Sequence, residues 1–231
     1  MIVEAIRAQH EGRHLISVDE KTGIQALERI AADQPMRAGQ PRRLEYEYER
    51  HGTTCLMAAT DVAQGTILHH RLHPTRSEAD FLFFVKGAVG QIPEDEEVVL
   101  LADQLNTHLS ASLVKWIALQ IDFQGDLGRK NYQGILKNQA SRQAFLENPE
   151  HRIRFVYTPK HCSWLNPIEN WFGKLQRHVI RYGNFPSVKE LENNINAYIA
   201  YYNDCLAKPL NWKFEGFVKS TKNSESNCVK T

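Results

Sequence analysis

Three acidic residues in separate parts of the chain have the character of metal ligands. Asp19 ends the apolar strand pattern of residues 14–18, and Asp103 follows the apolar run of residues 98–102. A strand that ends in a carboxylate presents it at the edge of the sheet where α/β proteins build their sites. Glu169 falls in the first turn of a predicted helix. Converging carboxylates would suit two Mg²⁺ or Mn²⁺ ions about 4 Å apart, an arrangement that serves phosphodiester cleavage.

Each acid also has a simpler structural explanation. Asp19 and Asp103 fit ordinary turn or cap positions. Asn166 as N-cap, Pro167 at the first helical position and Glu169 at the third make a good helix start without any ligand. The sequence alone does not show whether the three side chains meet.

The elements that must position these acids follow from the hydrophobic pattern. Strands are predicted at residues 14–18, 54–60, 66–72, 98–102 and 152–157, the second and third joined as a hairpin by residues 61–65. Helices are predicted from Ser77, over residues 111–121, from Asn166 and from Ser187. This order indicates an α/β fold with a mixed sheet flanked by helices.

Composition excludes several classes of protein. The 231 residues are 42% hydrophobic and 24% charged, which is enough for one large domain with a buried core. No run approaches the roughly 18 apolar residues of a membrane helix, and the first residues do not form a signal peptide. The scattered Cys55, Cys162, Cys205 and Cys228 contain no CxxC pair, which argues against a disulfide framework or a cysteine-rich zinc site and favours a reducing compartment.

Charge is distributed unevenly along the chain. The formal net charge is only +1, but residues 151–231 hold 12 basic and 6 acidic side chains, a balance of +6, with three of the four tryptophans. Basic groups interleaved with aromatic rings suit contacts with nucleic acid. A solvated basic helix face is the alternative explanation.

Four sequence blocks carry a family resemblance. They are VDEKTGIQALER at residues 18–29, RHGTT at 50–54, ADQLNTH at 102–108 and YTPKHCSWLNPIE at 157–169. In this order they resemble the catalytic domain of bacterial insertion-sequence transposases of the mariner-like superfamily, in particular the insertion-sequence-630 group. The resemblance covers about residues 14–205, and SWLNPIE is quite specific to it.

The resemblance implies a function for the three acids. It implies a ribonuclease-H-like fold in which Asp19, Asp103 and Glu169 are catalytic and bind two Mg²⁺ ions, for which Mn²⁺ may substitute. The implied reaction is hydrolysis at transposon ends, followed by attack of the freed 3′-hydroxyl on target DNA, usually at a TA dinucleotide. A non-catalytic, decayed or domesticated DNA-binding remnant is the alternative function.

The chain departs from the family pattern in three ways. Sixty-five residues separate Asp103 from Glu169, which indicates an insertion at about residues 122–150, and Gln104 stands where asparagine is frequent. Only 18 residues precede Asp19, so we expect this chain to lack the helix-turn-helix region of the family. The expected organisation is a catalytic domain over residues 1–218 and a disordered polar tail over 219–231.

The same resemblance suggests partners and DNA contacts. We expect DNA (transposon inverted-repeat ends and target), a homodimer, an upstream helix-turn-helix polypeptide and a cytoplasmic, nucleoid-associated location. Six side chains are candidates for DNA contact: His108, Lys160, His161, Lys174, Arg177 and Arg181. Lys174, Arg177 and Arg181 share one face if their helix is regular. For His108 and His161 a structural role is the alternative, and no acid or cysteine completes a zinc site around His69 and His73.

Overall fold

The predicted succession of strands and helices is present in the computed structural model, which describes residues 5–32, 34–43, 45–160 and 162–211. The strands are β1 (Arg13–Arg29), β2 (Tyr48–Asp61), β3 (Ile67–His73), β4 (Glu97–Ala102) and β5 (Ile153–Tyr157). The helices are α1 (Ala5–His10), α2 (Glu78–Val89), α3 (Ala111–Gln120), α4 (Gln139–Leu146), α5 (Ile168–Leu175) and α6 (Val188–Tyr201). Helices α5 and α6 each continue into a five-residue π-helical segment, Gln176–Ile180 and Tyr202–Leu206.

The five strands form one mixed sheet in the order β3-β2-β1-β4-β5. β1 is antiparallel to β2 and β2 to β3, which confirms the predicted hairpin. β4 is parallel to both β1 and β5, so these strands end at the same edge of the sheet. Strands β1 and β2 are much longer than predicted because their outer halves pair with each other beyond the body of the sheet.

Helices cover both faces of the sheet. On one face α2, α3 and α4 bury Phe81, Phe84 and Ile117 against the strands. On the other face α5 and α6 bury Trp171 and Ile195 against β1 and β2. β4 is buried on both faces, as its unbroken apolar run predicts. None of the helices in the described part of the chain has the length and apolar character needed to cross a membrane.

The segment at residues 122–150 is partly integrated into the core. It contains α4, whose Phe145 and Leu146 pack into the hydrophobic cluster under α2 and α3. Arg142 is buried and donates hydrogen bonds to the backbone oxygens of Leu109 and Leu136. The predicted tail at residues 219–231 and Cys228 lie outside the described residues, and Cys55, Cys162 and Cys205 are free thiols.

Candidate active site

Asp19 lies on β1 at the edge where the parallel strands end. Only 8% of the residue is exposed. Its carboxylate accepts a hydrogen bond from the backbone N–H of Glu20 at 2.7 Å and one from the side-chain amide of Asn166 at 3.4 Å. Burial is the main cause that raises the pKa of Asp19 to about 7; the carboxylates of Asp103 and Glu169 contribute in the same direction, and the Glu20 amide and His108 oppose it. The pKa of Asp19 is therefore affected by the charges of both Asp103 and Glu169.

Asp103 follows β4 at the corresponding position of the neighbouring strand. The parallel register pairs Ser17 with Leu101, and each aspartate comes two residues later. The Asp103 carboxylate lies 2.8 Å from Nδ1 of His108 and accepts the backbone N–H of Leu105 at 3.1 Å. The hydrogen bond with His108 is the main reason that the pKa of Asp103 is lowered. Asp103 is thus held as an ionised carboxylate beside Asp19.

Glu169 approaches the same edge of the sheet from helix α5, because it lies in the first turn of that helix. The side-chain amide of Asn166 donates to Val18 O at 2.9 Å, and the backbone N–H of Ile168 donates to the hydroxyl of Ser17 at 3.0 Å. These bonds attach the start of α5 to β1 beside Asp19, while the Glu169 side chain is exposed. Asn166 is therefore a tether to the sheet, and the N-cap predicted for it is wrong: Pro167 occupies the cap without a side-chain hydrogen bond.

A buried ion pair between His108 and Glu20 lies next to Asp103. His108 is completely buried, and its Nε2 lies 3.6 Å from the carboxylate of Glu20, whose side chain is 1% exposed. Burial by itself lowers the pKa of His108, but the hydrogen bond with Asp103 and the nearby charge of Glu20 outweigh it and raise the pKa to about 9. A protonated His108 thus lies between two carboxylates. The hydroxyl of Tyr157 also fixes this segment by donating to His108 O at 2.7 Å.

Glu20 has no counterpart among the predicted site residues. A glutamate that follows an aspartate in a strand is normally assigned to solvent. Its burial depends on His108, which arrives from another part of the chain, so the sequence carries no local signal for it. His108 itself has no exposed surface from which to contact a phosphate, and its position is inside the site rather than on the DNA-facing surface predicted for it.

The other predicted DNA contacts are dispersed. Lys160 is exposed and lines an open depression of about 370 Å³ together with Asp103 and Gln104. His161 lies outside the described residues. Gln104, the departure from the family pattern, donates to Thr158 O at 3.2 Å and so holds the loops on either side of this depression together.

Lys174, Arg177 and Arg181 do not form the single stripe predicted from regular helical spacing. Lys174 donates to the hydroxyl of Tyr202 at 3.2 Å and is half-buried. The exposed Arg177 acts electrostatically on Tyr198 of α6, whereas the exposed Arg181 lines a groove against β1. The wider i→i+5 turn of the π segment explains the difference, because it rotates the following residues relative to α5.

Among the described residues, only one group of three ligand-type side chains has its potential ligand atoms all within 4.8 Å of one another, and it lies at the far end of the paired strands β1 and β2. This group consists of Glu28, Glu49 and His51. The carboxylate oxygens of Asp19, Asp103 and Glu169 are not all this close to one another. Glu28 and Glu49 are direct cross-strand neighbours, and His51 Nε2 lies 2.7 Å from the Glu28 carboxylate. The histidine thus offsets part of the repulsion between two opposed carboxylates.

The chemistry of the three acids fits a divalent metal. Carboxylate oxygens are the ligands that Mg²⁺ and Mn²⁺ prefer. The raised pKa of Asp19 shows that its negative charge is incompletely compensated by the groups around it. A cation bound between Asp19, Asp103 and Glu169 would supply that compensation.

Comparisons with known proteins identify the family and the fold of the chain. Residues 14–192 match the family described as DDE superfamily endonuclease. The "Mos1 mariner paired end complex with Mn" has a TM-score of 0.51 and 14% identity, covering 80% of this chain and 48% of that chain. The "Mos1 Strand Transfer Complex" has a TM-score of 0.52 and 13% identity, covering 86% and 52%. The "Mos1 transposase paired-end complex with left transposon end" has a TM-score of 0.52 and 12% identity, covering 86% and 54%.

These comparisons establish the fold and the family. At such identities the likeness to the Mos1 structures shows a shared ribonuclease-H-like fold, and the chain spans about half the length of the Mos1 chains. A comparison with curated proteins finds no match. Since the family match extends over residues 14–192 of 231 and includes all three acids, the chain belongs to the DDE superfamily endonucleases.

Proposed function

We propose that the chain is the catalytic domain of a DNA transposase, which cleaves DNA at transposon ends and transfers the strand to target DNA. The observation that supports this proposal is the electrostatic effect of Asp103 and Glu169 on Asp19, which comes from a distant segment of the chain, in a member of the DDE superfamily. The insertion-sequence-630 group remains the subgroup that the sequence blocks suggest.

In this proposal Asp19, Asp103 and Glu169 hold two Mg²⁺ ions, with Mn²⁺ as a substitute. When bound, such ions activate the attacking oxygen and stabilise the leaving oxygen of a phosphodiester. The chain's own contribution is to fix the ligands: His108 orients Asp103, and Asn166 fixes α5 and hence Glu169. The exposed Lys160 beside Asp103 is suited to contact a DNA phosphate.

The partners follow from the same proposal. One Mos1 structure is described as a paired-end complex with a left transposon end and another as a paired end complex with Mn, and we propose corresponding DNA and metal partners for this chain. We also propose a homodimer that pairs two ends, a helix-turn-helix polypeptide that reads the inverted repeats, and a cytoplasmic, nucleoid-associated location.

Substitution of Glu169 tests the proposed function. We expect Glu169→Gln to reduce Mn²⁺-dependent nicking of a supercoiled plasmid to the metal-free background, because one metal ligand is neutralised. The fold should be unchanged, since the side chain is exposed, and circular dichroism checks this. Glu190→Gln is the matched control, because Glu190 is also an exposed glutamate in the first turn of a helix, α6.

The results separate the proposal from its alternative. If the Glu169→Gln protein nicks as fast as the parent, the site assignment is wrong. If the parent binds DNA in a gel-shift titration but shows no metal-dependent nicking, the chain is a non-catalytic DNA-binding remnant.

A further inference from the structure

A groove of about 590 Å³ lies on the α5 side of β1, beyond the acids. Its walls are residues 21–29 of β1, residues 45–48 before and at the start of β2, and residues 176–185 after α5. We call it the strand groove. It begins two residues after Asp19 on the same strand, and the nine residues 21–29 of β1 give it a length of at most about 26 Å at roughly 3.3 Å per residue.

The strand groove is a fixed feature, because hydrogen bonds join its two long walls. The backbone N–H of Phe185 donates to Leu27 O at 2.8 Å, and that of Arg29 donates to the side-chain oxygen of Asn184 at 2.6 Å. Gly23 has a φ of +64° and nothing within 4 Å of the position a Cβ would take, so the floor of the groove near the acids is open.

The lining combines positive charge with exposed aromatic rings. Lys21, Arg29 and Arg181 line the groove together with one acidic residue, Glu45. Tyr46 and Tyr182 also line it and are 81% and 53% exposed. Tyrosine rings exposed beside cations form platforms on which nucleic-acid bases stack while the cations contact phosphates.

The dimensions indicate which form of DNA the groove accepts. A volume of 590 Å³ lies within the roughly 300–1,000 Å³ of pockets that hold small ligands. That volume is about the size of one or two nucleotides and is smaller than a segment of duplex would need to enter the groove. Stacking on a tyrosine also requires a base with a free face, which paired and stacked bases inside a duplex lack.

We propose that the strand groove binds an unpaired segment of DNA strand that leads to or from the three acids. The proposal rests on the function proposed above and extends it by naming the form of the substrate beside the site. Bases stack on Tyr46 and on the face of Tyr182 opposite the Arg181 guanidinium, which lies 5.2 Å from the ring centroid, and phosphates contact Lys21 and Arg181.

Binding measurements without cleavage test the strand groove. Fluorescence anisotropy in EDTA compares a labelled oligothymidine single strand with a duplex of the same length. We expect Tyr46→Ala and Tyr182→Ala each to weaken single-strand binding about fivefold or more, as loss of base stacking does, with a much smaller change for the duplex. The matched controls are Tyr132→Ala and Tyr201→Ala, tyrosines outside the groove that are 71% and 54% exposed; these should bind like the parent.

Photocrosslinking gives a second readout that does not depend on affinity. An oligonucleotide containing 5-iododeoxyuridine should crosslink to peptides containing Tyr46 or Tyr182, as located by mass spectrometry. Single-strand affinities of both groove variants equal to the parent, or crosslinks confined to other regions, overturn the proposal.

The assay also separates this proposal from the proposed function. Because binding is measured without metal, a Glu169→Gln protein should retain single-strand affinity while losing nicking. If the parent never nicks DNA but the two tyrosine variants still lose single-strand affinity, the strand groove stands and the transposase chemistry fails.

Discussion

At the scale of single residues, the site depends on a histidine that the metal would not touch. His108 lies between the carboxylates of Asp103 and Glu20, and both the histidine and the Glu20 side chain are buried. An ionised group buried without its partner is far more costly than the intact pair. His108 therefore has two functions: it positions Asp103 and it compensates Glu20.

Substitution of His108 should expose both functions. We expect His108→Ala to lower the free energy of unfolding by about 3 kcal/mol, because it leaves Glu20 as a buried, uncompensated charge. Adding Glu20→Gln should restore part of that loss. Urea unfolding of the parent, both single variants and the double variant measures this coupling.

A positioning role has its own readout. In the double variant the Mn²⁺ concentration needed for nicking should remain higher than in the parent, because Asp103 is no longer oriented. A double variant as unstable as His108→Ala alone would contradict the assigned ion pair.

At the scale of elements, the sequence predicts the parts that follow from local pattern. The run Val98 to Ala102 predicts a strand buried on both faces, and Asp103 at its end lies where that prediction expects. Ser77 caps α2 as predicted and forms a complete capping box with Asp80. The outer half of β1 is not predicted, since register shifts after Lys21 and Gln25 interrupt its pattern, although Ile24 and Ala26 are buried in the core cluster with α5 and α6.

Features that depend on tertiary contacts could not be predicted from the local sequence. Asparagine is a residue type that often forms an N-cap, but the role of Asn166 is determined by a hydrogen bond with β1, 148 residues away in the sequence. The π segment after α5 likewise has no sequence signal, and it is the reason that Arg181 leaves the stripe predicted for it.

Asp80 at the N-terminus of α2 leads to a prediction of how the stability of the fold changes at low pH. Asp80 is 9% exposed and accepts hydrogen bonds from the hydroxyls of Thr75 and Ser77, both at 2.7 Å, and these bonds lower its pKa to about 2. Because the pKa in the folded protein lies below the ordinary value, Asp80 stabilises the fold above about pH 5 and loses that effect as the pH falls toward 2.

Asp80→Asn should therefore lower the free energy of unfolding by about 1–2 kcal/mol at pH 7, as loss of a helix cap does, and by less at pH 4. Urea unfolding at the two pH values measures the difference. The exposed Asp95 provides the control, since Asp95→Asn should change stability by less than about 0.5 kcal/mol at either pH. An Asp80→Asn effect that grows on acidification would refute the assignment.

At the scale of the whole molecule, the sheet brings together acids that the chain keeps far apart. Asp19 and Asp103 come from parallel neighbours, and Glu169 comes from a helix on one face of the sheet. Their mutual repulsion opposes folding when no cation is bound. A cation that binds only the folded state stabilises it by mass action.

Metal should therefore raise the thermal midpoint of the parent. At ten times its Kd the gain is about 1.4 kcal/mol, which corresponds to about 3–5 °C for a domain of this size. Asp19→Asn should raise the metal-free midpoint, because it removes a buried charge, and should abolish the response to Mg²⁺. Differential scanning calorimetry with Mg²⁺ and with EDTA measures both effects.

Glu49→Gln serves as the control for the ligand-type group Glu28, Glu49 and His51, and it should keep the full response to Mg²⁺. Loss of the response in Glu49→Gln, with retention in Asp19→Asn, would place the cation at Glu28, Glu49 and His51 and not between the three acids.

The attachment of Asn166 to β1 determines when, during synthesis of the chain, the three acids can come together. Asp19 and Asp103 can meet as soon as β1 and β4 have paired, but Glu169 joins them only after α5 has left the ribosome and attached to β1. A nascent chain that stops before this point holds two of the three acids. Under the proposed function, DNA cleavage therefore begins only after Glu169 has been made and α5 has docked.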